Sequence, residues 1–204
     1  MHFKRRFITA AVAAALLAAM LPAGAETVDV VVQAGHEGRP ASCTPNHVRA
    51  CNIGASSAAG REIVWTPIVA DAVTAALRAA GFRVARRPAD YPQHDTARIA
   101  IFIHFDGSDP PCASGTSVGF PATTSHAFVA TWEAAYRRLY PFRFVGENIS
   151  SNEEQYYGFH KVDAPQKMLI EYGELTCPAQ AKWLAPRLHQ LGAFTARFLI
   201  ERLR

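Results

Sequence analysis

Four residues far apart in the chain have side chains suited to one piece of chemistry: His36, Glu62, His104 and Glu171. Two imidazoles and a carboxylate are a ligand set for catalytic Zn²⁺, leaving one tetrahedral position for water. A fourth carboxylate that does not ligate can then carry protons. Each residue also has a plain structural reading. His104 would serve as a core histidine bonded to a carbonyl, Glu171 as the ion-pair partner of an arginine, and Glu62 as a first-turn acid favoured by the helix dipole. A histidine beside glycines, like His36, is commonly a solvated turn. What lifts the four above these readings is that all of them fall at the ends of elements.

Val30-Val31-Val32 are consecutive and apolar, the pattern of a strand buried on both faces. It runs into Ala34-Gly35-His36-Glu37-Gly38, where the glycines permit a sharp turn and a close backbone approach. Arg98-Ile99-Ala100-Ile101-Phe102-Ile103-His104 reads as a second apolar strand, and Lys167-Met168-Leu169-Ile170-Glu171 as another. If these lie parallel and adjacent, His36, His104 and Glu171 meet at one rim of the sheet, the usual place for chemistry in an α/β fold. Glu62 opens a helical stretch to Ala80, with Val64, Ile68, Val69, Ala72, Val73, Ala76, Leu77 and Ala80 on its apolar face and Gly81 as its stop. Pro67 leaves two readings: Thr66 caps a helix that begins at Pro67, or a first turn from Glu62 is distorted there, the second being preferred. Phe82–Arg86 is a further strand, and Thr116–Phe120 an edge strand. Ser125 caps a helix to about Tyr140, before Pro141. Residues 142–162 are polar and aromatic, a candidate substrate-facing loop. A short helix from Pro178 to about Leu184 and a last helix from Pro186 complete the chain. Strands alternating with helices give an α/β class, a three-layer αβα arrangement around a mostly parallel sheet with a mixed edge, in one domain.

The 204 residues begin with Lys4-Arg5-Arg6, an alanine-rich apolar stretch from Phe7 to Leu21, and Ala23-Gly24-Ala25. This is the pattern of a secretory signal peptide over residues 1–25, with residues 26–204 as the catalytic domain. The stretch is short for a bilayer span, which needs about 20 apolar residues. Arg5-Arg6 is only a loose match to a twin-arginine signal. Three of the 21 Lys and Arg and none of the 17 acids lie in this leader, leaving 18 against 17. The basicity of the full chain is therefore no argument for nucleic acid. Export to the periplasm or exterior suits disulfides among Cys43, Cys51, Cys112 and Cys177. Three pairings are formally open. Proximity favours Cys43–Cys51 within the long loop of residues 39–60, with Cys112–Cys177 left as the second. No Cys-x-x-Cys pair points to a zinc–thiolate site.

The chain resembles the zinc-dependent N-acetylmuramoyl-L-alanine amidases of the Amidase_3 type. The resemblance rests on Ala34-Gly35-His36-Glu37-Gly38, Gly60-Arg61-Glu62, Phe102-Ile103-His104-Phe105-Asp106 and Leu169-Ile170-Glu171-Tyr172-Gly173, taken in order. Leu175-Thr176-Cys177-Pro178 resembles the stretch after the family's catalytic glutamate. It implies that His36, Glu62 and His104 hold Zn²⁺ and that Glu171 is general base and acid. The substrate would be the amide joining the lactyl group of muramic acid to L-alanine in peptidoglycan. Three positions depart from the family pattern. Glu37 replaces a glycine and adds charge or a rival base near the metal, Phe105-Asp106 alters the lip, and Glu174 replaces an aromatic. Three other readings compete. A zinc carboxypeptidase would need an arginine clamp, for which Arg86, Arg87 and Arg143 are candidates. A degenerate, wall-binding activator would retain the fold without turnover. Gly115-Thr116-Ser117-Val118-Gly119 formally matches a serine nucleophile elbow, but prolines on both sides deny it the strand–helix setting.

Overall fold

A run of valines has nowhere to go but the middle of a sheet, and strand β1 (Val30–Ala34) is buried along its whole length. The computed structural model describes residues 27–40 and 51–204. The expected leader and Cys43 lie outside these residues. Helix α1 (Glu62–Ala79) returns the chain to β2 (Val84–Arg87), and β3 (Ile99–Asp106) follows. Next come β4 (Thr116–Gly119), α2 (His126–Tyr136), β5 (Phe144–Glu147) and the one-turn helix α3 (Ser151–Glu154). Strand β6 (Gln166–Glu174), α4 (Pro178–Leu184) and α5 (Leu188–Leu203) end the fold.

The six strands form one sheet in the order β2-β1-β3-β6-β4-β5. The first four are mutually parallel, β4 runs antiparallel to β6, and β5 runs parallel to β4. This is the mostly parallel sheet with a mixed edge that the alternating pattern predicts. One face carries the larger core, where Val69, Val73 and Leu77 of α1, Trp132 of α2 and Leu191 and Leu199 of α5 pack on Val30, Ile101 and Ile170. The other face carries a smaller cluster of Val31, Ala100, Phe102 and Leu169, closed by Phe159 and Val162.

Four expectations shift. Thr116–Gly119 is not the edge strand, because β5, drawn from the stretch read as irregular, pairs outside it. Helix α2 stops at Tyr136 rather than Tyr140, and the amides of Leu139 and Tyr140 both return to the Tyr136 carbonyl at 2.9 Å. Tyr140 precedes Pro141, whose ring disfavours helical backbone in the residue before it. Ser125 sits at the cap position without a side-chain bond. The last helix starts at Leu188, after a 3₁₀ turn over Ala185–Arg187.

The fourth shift concerns the apolar face of α1, which is rotated. Val64 is 52% exposed, whereas Glu62, Trp65, Thr66 and Val69 are buried. The cause is polar. Thr66 donates from Oγ1 to the Gly35 carbonyl at 2.6 Å, so the stripe through Glu62 and Thr66 faces the end of β1. Val64, two residues or about 200° from Glu62, is turned outward. Pro67 is inside the helix, which begins at Glu62 as the distorted-turn reading expects.

Candidate functional site

The C-terminal ends of β1, β3 and β6 open into a cavity of about 760 Å³ lined by His36, Glu62, His104, Asp106 and Glu171. His36 follows the end of β1 with φ of 61°, the left-handed region that non-glycine residues rarely occupy. Such strain marks positions that the surrounding structure over-determines. Gly35 before it leaves no room for a side chain, since a Cβ there would run into the His104 ring. Gly54 is similarly confined by the Glu62 carboxylate and the His36 ring.

Glu62 is the first residue of α1. Its Oε1 lies 3.2 Å from His36 Nε2 and 2.9 Å from His104 Nδ1. The same carboxylate accepts the amides of Ala55 (2.8 Å) and Phe105 (3.1 Å). Ligand atoms of His36, Glu62 and His104 lie within 4.8 Å of one another, and all three residues are buried. No other group of this kind occurs among the described residues. Burial opposes the charge on Glu62, but the two imidazoles outweigh it and hold the carboxyl well below its ordinary range. Burial likewise works against protonated His36, yet attraction to Glu62 leaves its pKa raised. At His104 burial wins and the pKa is lowered. A buried anion between two imidazoles, one biased toward the neutral form, matches what a borderline-soft divalent cation such as Zn²⁺ takes as ligands.

Each imidazole is also held from behind. His36 Nδ1 lies 2.7 Å from the Asn52 carbonyl, which also accepts from Arg39 Nη1 at 2.9 Å. Arg39 is bound to Asp90 at 2.7 Å. His104 Nε2 lies 3.1 Å from the Tyr156 hydroxyl. Asn52, Arg39 and Tyr156 escaped the sequence reading. Their only signals were places in the long loop of residues 39–60, for Arg39 and Asn52, and in the 142–162 stretch, for Tyr156, and the latter does wall the cavity through Ile149, Ser150, Asn152, Glu153, Tyr156 and Tyr157.

Glu171 stands beside His104 in the register of β6 with β3. Its Oε2 is buried with no hydrogen-bond partner. Burial, then repulsion from Glu62, Asp106 and Glu153, pushes its pKa well above the carboxylate range. Glu37 is not a rival base: it pairs with Arg86 at 2.7 Å and does not line the cavity. Glu174 is fully buried outside the cavity and is bound by neighbouring donors. Asp106 does reach the lip, where Ser114 and the Gly107 amide bind it. Cys112–Cys177 is formed as expected, tying that lip to the start of α4. The pairing expected for Cys43 lies outside the described residues.

The rival chemistries find less support. Arg86 is engaged by Glu37 and Asp71, and Arg87 by Asp95, while Arg143 reaches only toward the Ala113 carbonyl. None of the three lines the cavity. Arg39 does, but its guanidinium is taken up by Asp90 and Asn52. Ser117 is buried within β4 and donates to Glu153 at 2.7 Å, so it is no nucleophile elbow.

The same fold is found among solved structures. No family model matches the chain, and no curated protein sequence does. Its fold matches N-acetylmuramoyl-L-alanine amidase AmiC2 of Nostoc punctiforme with a TM-score of 0.63 at 18% identity, covering 88% of this chain and 99% of that one. The catalytic domain of CwlV, an N-acetylmuramoyl-L-alanine amidase from Bacillus (Paenibacillus) polymyxa var. colistinus, matches at 0.63 and 17% identity over 87% and 98%. Ami1 from Mycobacterium smegmatis, an N-acetylmuramyl-L-alanine amidase, gives 0.57 and 18% over 88% and 97%. The chain therefore has the fold of these amidases over nearly their full lengths.

Proposed function

We propose that this chain is a secreted zinc hydrolase that cuts the amide between the lactyl group of N-acetylmuramic acid and L-alanine in peptidoglycan. One observation carries the reading: His36, Glu62 and His104 converge as a buried donor set, with the unpartnered carboxylate of Glu171 in the same cavity. The shared fold supports the substrate class. His36 through Nε2, Glu62 through a carboxylate oxygen and His104 through Nδ1 would hold the ion. When bound, zinc supplies a Lewis acid that polarises the scissile carbonyl and acidifies water.

The remaining work falls to the chain. Glu171 Oε2, free of any donor, takes the proton of the attacking water and passes it to the departing amine of L-alanine. Burial and the neighbouring acids raise its proton affinity, and a nearby divalent cation works in the opposite sense. The two opposing influences suit a group that must both accept and release a proton near neutrality. The leader supports export to the compartment where peptidoglycan lies. No helix among the described residues is long and apolar enough to cross a membrane.

Metal analysis of the purified protein, paired with digestion of cell-wall sacculi, tests the reading. Stoichiometric zinc and release of stem peptides with a free L-alanine amine are expected, and His36→Ala should lose both. Zinc without released peptides would redirect the assignment to another zinc peptidase or a binding role. Absence of zinc would make the chain a degenerate relative.

A further inference from the structure

Gln33 is the one polar residue in the apolar run of β1, and it is completely buried. Buried amides are retained where they are fully bonded. Its Oε1 accepts from the Tyr156 hydroxyl at 2.7 Å, and its Nε2 donates to the Tyr157 hydroxyl at 3.0 Å. Tyr156 in turn meets His104 Nε2 at 3.1 Å, its ring edge-on to the imidazole at 5.2 Å between centroids. Tyr157 accepts the Asp90 amide at 3.2 Å, and Asp90 is the partner of Arg39 behind His36. A connected polar wall thus runs behind both imidazoles, from Asn52 through Arg39, Asp90, Tyr157 and Gln33 to Tyr156.

The orientation of Gln33 gives these bonds a direction. With Gln33 Oε1 turned to Tyr156, the hydroxyl gives its proton to that oxygen, because a carboxamide oxygen can only accept. What Tyr156 then offers His104 is a lone pair, which requires the proton of a neutral imidazole to sit on Nε2. Nδ1, which faces the Glu62 carboxylate at 2.9 Å, is then the nitrogen left to take a cation held between the two. A ligating histidine needs this arrangement, its second nitrogen donating to an outer partner that fixes tautomer and ring plane. The position of Tyr156 is itself enforced, because a Cβ on Gly158 would collide with both the Tyr156 and Phe102 rings.

We infer that Gln33 and Tyr156 are positioning residues that set the Nδ1-bare tautomer of His104 for metal binding, with Gln33 acting only through Tyr156. The inference rests on the zinc reading of His36, Glu62 and His104, and deepens it.

The test is a competition titration of the purified protein with Zn²⁺ against a chromophoric chelator, together with visible spectra of the Co²⁺-substituted protein. Tyr156→Phe keeps the ring and removes the hydroxyl. It should weaken zinc about 10- to 100-fold, the usual cost of losing an outer-shell partner, and alter the Co²⁺ bands. Gln33→Leu should do the same, while Gln33→Glu, which keeps an acceptor for Tyr156, should bind more tightly than Gln33→Leu. Tyr136→Phe removes another buried phenol hydroxyl, one that donates to the Tyr172 carbonyl in the larger core and lies outside this wall, and should leave affinity unchanged. Circular dichroism on each variant confirms that the folded protein is being titrated. Wild-type zinc affinity and an unaltered Co²⁺ spectrum in folded Tyr156→Phe would overturn the inference while leaving the metal site intact. Equal affinity in Gln33→Leu and Gln33→Glu would overturn the role of Gln33. A wild-type protein that binds neither ion would overturn this inference and the zinc reading together.

Discussion

Glu171 and Glu174 are the same residue type, three positions apart on one strand, yet their surroundings have opposite effects. Glu171 keeps a buried oxygen without a donor, and burial together with Glu62, Asp106 and Glu153 holds its pKa far up. Glu174 leaves no surface to solvent, and Ser108 Oγ (2.8 Å), the Cys112 amide (2.6 Å), the Ser114 amide (2.9 Å) and Thr176 Oγ1 (2.6 Å) all donate to it. Burial works against its charge, and these donors outweigh it, so its pKa is lowered. A bulge separates the two: Glu171 stands beside His104 and Glu174 beside Asp106, three residues on β6 against two on β3. Where donors surround a carboxylate its charge is favoured, and where burial and like charges meet few donors its proton is.

The sharpest way to break this contrast is to neutralise each carboxylate in turn. Glu171→Gln should keep zinc and lower turnover on sacculi by about 100- to 10,000-fold, the usual worth of a general acid–base group. Hydrolysis at the wild-type rate would remove Glu171 from the mechanism. The Glu174 side is a scaffold, so its disruption should appear in stability. Cys112 and Cys177 close a 65-residue separation across the same lip. Replacing both with serine should cost about 2–5 kcal/mol in denaturant unfolding. Glu174→Gln leaves its amide donors facing a poorer acceptor and should cost about 1–3 kcal/mol, with zinc still bound.

The two glutamates should also differ in sign with pH in the metal-free protein. The folded pKa of Glu174 lies below the ordinary 4.5. Its stabilisation is present above that value and is lost as pH falls through the folded pKa, so the penalty of Glu174→Gln shrinks in acid. The folded pKa of Glu171 lies well above 4.5. Its protonated folded form is favoured at low pH, and stability falls as pH rises from the unfolded value toward the folded one. Glu171→Gln should therefore stabilise the metal-free protein at neutral pH, and that gain should vanish toward pH 4. Unfolding curves of both variants across this range check the crossed signs. Parallel behaviour would mean that the two carboxylates share one environment.

Much of the frame was legible because it follows from pattern alone. Val30–Val32, Ile99–Ile103 and Met168–Ile170 are apolar runs, and such runs bring their terminal residues to one rim when paired in parallel. Three of the four candidate residues follow from that rule and from their types, and Glu62 from its place at the start of α1. What was illegible depends on partners brought from elsewhere in the fold. Nothing local marks Tyr156 as the neighbour of His104, or Asn52 as the acceptor for His36. The rotation of α1 away from Val64 is set by one bond from Thr66 to Gly35, which a hydrophobic periodicity cannot contain. Gln33 is visible as a polar residue in an apolar strand, but its partners Tyr156 and Tyr157 are not. The separation of Glu171 from Glu174 needed the bulge, which adds a residue without leaving a sequence signature.

Glu37 supplies the smallest expected effect and sharpens the same rule. Read from sequence, it was a third acid beside the metal, one residue from His36. It sits on Arg86, with side chains 30% and 15% exposed, and outside the cavity. A partly solvated pair of this kind contributes about 1 kcal/mol or less, and Arg86 retains Asp71 at 2.8 Å when Glu37 is gone. Glu37→Gly removes the carboxylate and restores the glycine of the resembled family, at the modest entropic cost of a more flexible chain. It should leave zinc affinity and turnover within about twofold of wild type, since a partly solvated charge already neutralised by Arg86 and outside the cavity has little reach. A larger loss of either would show that charge beside His36 reaches the metal after all, and that counting donors on Glu171 and Glu174 misses a longer-range electrostatic control of the site.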